Sequence, residues 1–244
     1  MAPSPTLPLE ICVDSAAGLA VAAGSGADRV ELCSALPLGG LTPGPGLLAG
    51  ARDGDVPCHA MIRPCPGDFL FEGADFDACL ADVGAVRAAG LAGVVIGVAN
   101  ADSTLNLKAL EVLRAAAGPM QVTLHRVFDL VPDPFTALEQ AIDLGITRIL
   151  TGGRKTVASA GTALLAELVR RAGGRIEIMA GGGVTAANAS QLMGAGVDAL
   201  HASCSVQAPL RQPAGQIGIA PCRETNADMI AALRAAMTLD EVET

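Results

Sequence analysis

Glutamate and cysteine recur two residues apart at two points of the chain, Glu10-Ile11-Cys12 and Glu31-Leu32-Cys33, each inside a short aliphatic run. Residues at i and i+2 share one face of a strand. Each run therefore turns a soft metal ligand and a proton-transfer group the same way. The three histidines fall in similar runs: His59 shares a parity with Met61 and Arg63, His125 with Thr123, and His201 with Ser203. Glu177 alternates in the same manner with Met179. Imidazoles and carboxylates move protons once their environment brings them near neutrality. His59, His125, His201, Glu31 and Glu177 are accordingly the candidate catalytic residues. A single strand histidine is ordinarily a hydrogen-bonded core residue, but all three here have polar companions on one face, which points to function. Glu10, deeper than Cys12, reads as a structural partner for Arg29 or Arg63.

Arg63 and Arg126 stand at the ends of their runs, where they can meet an anion, and Gly181-Gly182-Gly183 follows another run. Glycines there let backbone amides approach an anion at a helix start; the competing reading is a tight turn. Thr151-Gly152-Gly153 is a weaker version of the same pattern. If Cys12 and Cys33 occupy equivalent positions on adjacent parallel strands, they lie about 4.8 Å apart. Two thiolates at that spacing suit a soft, low-coordinate ion such as Cu(I), and plain packing is the competing reading. Schiff-base chemistry is not expected, because the only lysines, Lys108 and Lys155, lie outside the strand runs.

The elements that position these residues follow from a repeat. Gly26, Gly90, Gly145 and Gly196 each follow an Ala/Leu-rich helical stretch and precede a β-rich run. Four more runs lie between them, 9–13, 58–63, 121–126 and 175–179. Gly-to-Gly intervals of 64, 55 and 51 residues leave about 25–32 residues per βα unit. Eight such units fill most of the 244 residues, which predicts a single (β/α)₈ TIM barrel. Its core would span about 9–203, with a C-terminal loop and helix over 204–244. A doubly wound open sheet is the alternative. Asp133 before Pro134, and Thr185 after the triple glycine, read as helix N-caps, and Asp75 as the opening of a helix that ends at Gly90. In such a barrel the polar faces line the interior and its C-terminal mouth.

Composition narrows the partners. A net charge of −9 and 2% aromatic residues argue against nucleic-acid binding. The long uncharged stretch Leu32 to Ala51 is broken by proline and glycine, so no membrane span is expected. Seven cysteines, with no C-x-x-C spacing, and a Pro-rich start without an apolar leader point to a reducing, cytoplasmic setting.

At these residues the sequence resembles the CutC family of copper homeostasis proteins. The stretches that carry the resemblance are 10–15, 26–34, 39–43, 61–64 with 67–69, His125-Arg126 with Phe128-Asp129, and 175–179 with 181–183. The chain departs from the family pattern at Cys65-Pro66, Leu124, Ala180 and Ile96 to Asn100. The resemblance implies a (β/α)₈ barrel, Cu(I) held by Cys12 and Cys33, a cytoplasmic location and a homo-oligomer. It supplies no reaction. Three functions are therefore expected in competition. The first is copper binding. The second is an enzyme acting on a small anionic or phosphorylated metabolite, held by Arg63, Arg126 and Gly181–Gly183. The third is a scaffold without a ligand.

Overall fold

The computed structural model describes residues 7–209 and 222–238. Strands and helices alternate: β1 (Leu9–Val13), α1 (Ala16–Gly24), β2 (Arg29–Leu32), α2 (Pro45–Arg52), β3 (Cys58–Met61), α3 (Gly73–Ala88), β4 (Gly93–Ile96) and α4 (Leu107–Ala117). Then come β5 (Gln121–Leu124), α5 (Pro134–Asp143), β6 (Arg148–Thr151), α6 (Thr162–Ala172), β7 (Glu177–Gly181), α7 (Ala189–Met193) and β8 (Ala199–Ala202). The eight strands are parallel and close into a barrel in chain order, β8 pairing back onto β1. That last pairing disposes of the open doubly wound sheet. A short antiparallel pair, β9 (Ser205–Gln207) with β10 (Arg223–Thr225), follows at the mouth, and α8 (Ala227–Thr238) completes the helical layer beside α1 and α7.

Local chemistry explains the boundaries. Gly26, Gly90, Gly145 and Gly196 all take positive φ, between 67° and 92°, the left-handed turn that a helix end asks for. Asp133 caps α5 through Phe135 N, with Pro134 in the first turn, as its sequence predicts. Asp75 lies in the first turn of α3, two residues inside the helix start. The Thr185 cap is not found. Asn188 instead accepts from Thr185 N and donates to Gly183 O, which tightens that turn and delays α7 to Ala189. Two strands stop earlier than expected, β3 at Met61 and β5 at Leu124, where a 3₁₀ turn over Arg126–Leu130 begins. β7 starts later, because Arg175 points outward to pair with Glu139 on the surface.

The outward faces of the strands form the main core. Leu9, Ile11 and Val13 of β1, with Val30 and Leu32 of β2, are fully buried under the helices. Each such side chain contributes about 1.5–3 kcal/mol. The helices answer with matching stripes, Pro134, Ala137, Leu138 and Ala141 on α5 for example. The inward faces are therefore free to carry polar groups.

Candidate functional site

A chain of alternating charges runs up the barrel axis. Glu177, the first residue of β7, accepts from Arg148 Nε of β6 at 2.5 Å and from Arg29 Nη2 of β2 at 3.2 Å. Arg29 Nε also meets Glu10 Oε2 of β1, and the other oxygen of Glu10 lies 2.8 Å from His201 Nδ1 on β8. Arg148 further donates to Thr123 Oγ1 at 3.1 Å and contacts His59 Nδ1 at 3.5 Å. Glu10 and His59 are wholly buried, and Arg148 is the largest side chain hidden from solvent. Charges that deep persist only when paired, and here two carboxylates answer two guanidiniums. Burial pushes the Glu10 carboxyl up, but its hydrogen bond to His201 and the charges of His201 and Arg29 outweigh this and hold it well below the usual range. Burial, reinforced by the Arg148 and Arg29 charges, drives His59 down to about 3.

Above this network the barrel opens into a cavity of about 460 Å³ at the C-terminal ends of the strands. Cys12, Glu31 and His201 converge on its floor, with one ligand atom from each lying within 4.8 Å of the other two. His201 Nε2 is 3.7 Å from Glu31 Oε2, and the Cys12 side chain lies close by. Burial disfavours the imidazolium, yet the charges of Cys12 and Glu31 and the bond to Glu10 raise His201 well above its ordinary value. Glu31 is pushed up to about 7 by burial, against the pull of His201, and its Oε1 has no hydrogen-bond partner among the described residues.

Cys33 stands apart from this trio. Register pairs Cys12 with Glu31 and Val13 with Leu32, so Cys33 sits one pleat nearer the mouth. The expected level pairing of the two cysteines is thus corrected. Closing a barrel staggers its strands, and the two Cα atoms lie diagonally about 8 Å apart by strand spacing and rise. Cys33 Sγ donates to Glu31 Oε2 at 3.5 Å, and the loop over Cys33 packs so closely that a side chain at Gly40 would come within 3.0 Å of its sulfur. Burial, with the charges of Glu31 and Cys12, raises the Cys33 thiol well above its usual range.

The cavity walls are built by two more clusters. Arg63, just past β3, donates to the carbonyls of Leu38, Gly40 and Gly67, and so ties two mouth loops together. Arg126 pairs with Asp129 and donates to Lys155 O, and Asp129 also accepts from Thr151, Gly152 and Arg154. Gly182 and Gly183 face Arg126 and Val157, but α7 is only five residues long and starts at Ala189, so the loop does not lead straight into a helix. His125 fits against β4 only because residue 97 is glycine: a Cβ there would come within 2.2 Å of His125 Cε1. Gly97→Ala is expected to displace the ring and to lower stability by about 1–3 kcal/mol. Chemical denaturation and the His125 ring resonances would report both effects.

The model of the CutC family matches residues 7–206. The chain belongs to the CutC family. A CutC family protein of Sinorhizobium medicae is 46% identical over 94% of this chain and 95% of its own length. Another, from Caulobacter vibrioides, is 49% identical over 86% of each chain. Among solved structures, the Streptococcus agalactiae CutC, named for copper homeostasis, superposes with a TM-score of 0.77 at 28% identity, covering 81% of this chain and 98% of that one.

In this CutC-family chain the sequence-predicted residues divide into two groups. Cys12, Glu31, His125, His201, Arg63, Arg126, Gly182 and Gly183 line the mouth cavity. Cys33 lies behind the wall, Gly181 ends β7, and His59 and Glu177 belong to the ion network below. Sequence reasoning missed Arg148, which shares its strand face with Leu150 much as Arg29 shares one with Glu31. It also missed Glu10 as the residue that orients His201. Among the described residues no helix is long and apolar enough to cross a membrane.

Proposed function

We propose that the protein binds one Cu(I) ion at the barrel mouth, with Cys12 Sγ and His201 Nε2 as its first ligands. The supporting observation is the convergence of Cys12, Glu31 and His201 within 4.8 Å above a buried carboxylate that holds His201 by its other nitrogen. Thiolate and imidazole suit a soft ion. A carboxylate behind the ligating histidine fixes the ring and raises its basicity, the usual outer-shell arrangement. Carboxylate is a hard donor, so Glu31 serves better as the acceptor of the Cys33 thiol proton. Cys33 then joins as a second thiolate once that proton leaves. Binding displaces protons from sulfur and imidazole, and affinity therefore rises with pH.

The test is titration of the reduced protein with Cu(I) against a chromogenic chelator. One copper per chain is expected. Cys12→Ser should weaken binding by at least the roughly hundredfold that even an outer-shell loss can cost, and Cys65→Ser should leave it unchanged. Wild-type affinity no better than that of Cys12→Ser removes the proposal. Zn(II) outcompeting Cu(I) would replace it with a divalent site, which a Cys, His and Glu set also suits.

The cavity supports a second reading, an enzyme acting on a small anion. Its volume suits a metabolite, and Arg63, Arg126, Gly182 and Gly183 line it together with His125, His201 and Glu31. In that reading His201 and Glu31 are the proton-transfer groups. His59, wholly buried, and the half-buried Glu177, both in the ion network below the cavity, serve as positioning residues.

A further inference from the structure

We infer that Arg63 and His125 form a receptor for a small monocarboxylate on the wall of the mouth cavity. The assignment deepens the small-anion reading and does not depend on copper. His125 Nδ1 accepts the backbone N–H of Val127 at 3.1 Å. An accepting Nδ1 carries no proton, so in the neutral ring the proton sits on Nε2. That Nε2 is buried and has no partner among the described residues, and the ring lines the cavity with 3% of its surface exposed. Burial and the neighbouring Arg63 charge keep the ring down at about 3, so it stays neutral at physiological pH. His125 is thus a fixed N–H donor and a poor proton carrier.

Arg63 supplies what the imidazole lacks. Its residue is 5% exposed, and three of its five N–H groups go to neutral carbonyls, Leu38 O, Gly40 O and Gly67 O. No described carboxylate pairs with it, and its Nε has no acceptor among the described residues. A buried guanidinium without a counter-charge is costly, and its three loop bonds prevent it from swinging out to solvent. Phe69 joins the two groups: its ring centroid is 4.7 Å from that of His125, and Arg63 Cζ lies 5.1 Å above it. Arg126, which also lines the cavity, is already neutralised by Asp129.

The pair therefore offers one net positive charge and two N–H nitrogens without a partner among the described residues, beside an apolar ring. A carboxylate brings one negative charge and two acceptor oxygens, and its remainder can rest against Phe69, Leu36 and Pro37. A phosphate dianion would leave one charge uncompensated and more oxygens than donors.

The experiment uses copper-free, reduced full-length Cys12→Ser protein with ¹⁵N-labelled histidine, titrated with acetate, pyruvate and inorganic phosphate. His125 should remain neutral and protonated on Nε2 from about pH 5 to 8. Pyruvate should move that N–H resonance and bind more tightly than phosphate. His125→Phe, which keeps the ring stack, should weaken pyruvate binding about tenfold, as expected for a charge-assisted bond. Arg63→Met should weaken it more, and Arg63→Lys, which retains charge without the Nε donor, should fall between. A ring protonated on Nδ1, a ring that titrates in this range, or a resonance that no probe moves overturns the assignment. Phosphate binding untouched by the Arg63 and His125 variants would leave the small-anion reading standing while this receptor falls.

Discussion

Glu10→Gln is expected to cost the fold about 3–5 kcal/mol, two to nearly four powers of ten in the folded-to-unfolded ratio. Glutamine keeps the shape of the side chain, so no cavity opens and the loss is electrostatic. Each Glu10 oxygen serves a different cation: Oε1 takes His201 Nδ1 at 2.8 Å, and Oε2 takes Arg29 Nε. The amide group of glutamine would have to face one of those two donors with N–H of its own. Arg29 would then depend on Glu177 Oε1, which already holds Arg148. Urea unfolding with an unchanged m-value measures the effect. Glu167→Gln is the control: its partners Arg170 and Arg171 lie at the helix surface, where water and salt replace the lost charge, so the midpoint should barely move. A similarly small shift for Glu10→Gln would mean that the barrel axis admits enough water to screen its charges. His201 loses its orienting carboxylate in the same variant, so copper affinity should fall together with stability.

The barrel was legible because its signals are local. β1 occupies the residues that its aliphatic alternation marks, and glycine at 26, 90, 145 and 196 announces each helix end through a conformation that other residues resist. Strand parity likewise separated Glu10, Cys12, Glu31 and His201 from the aliphatic set that packs under the helices. What the sequence could not reveal is stagger. Two copies of Glu-x-Cys look equivalent along the chain, yet the tilt needed for closure sets Cys12 beside Glu31 and moves Cys33 one pleat away. Depth was hidden for the same reason. His59 and His125 have similar strand neighbours, but one is sealed against Arg148 inside the barrel and the other lines the mouth. The β9–β10 pairing links residues well apart in sequence and carries no short-range turn signal. The Arg63 clamp was invisible too, since its partners are backbone carbonyls of two loops.

Acid is expected to unfold this protein steeply, and the slope follows from groups moving in opposite directions. His59 and His125 are each held at about 3 in the fold by burial, against about 6.5 for an unfolded histidine. Above pH 6.5 both states are neutral and neither ring affects stability. Below it the unfolded chain takes up two protons that the fold refuses, and each one lowers the folded-to-unfolded ratio about tenfold per pH unit. Glu31 works the other way. Burial lifts it to about 7, so between there and its ordinary value of 4.5 the fold binds a proton that the unfolded chain does not. His201, raised well above its ordinary value, is charged in both states throughout the acid range and adds no slope. The net loss is about tenfold per unit from pH 6.5 to 4.5. Below 4.5 Glu31 no longer offsets the histidines and the depressed Glu10 joins them, so the loss exceeds about a hundredfold per unit. Urea midpoints taken along a pH series should fall gently and then sharply, and His59→Gln should flatten the upper limb. A midpoint that holds level from pH 6.5 to 4.5 would mean that one of the two rings accepts a proton inside the fold. The obvious suspect is then His125, which alone of the two borders the open cavity: His59→Gln would make the midpoint rise as the pH falls, because only Glu31 still takes up a proton on folding, and His125→Phe would leave it level.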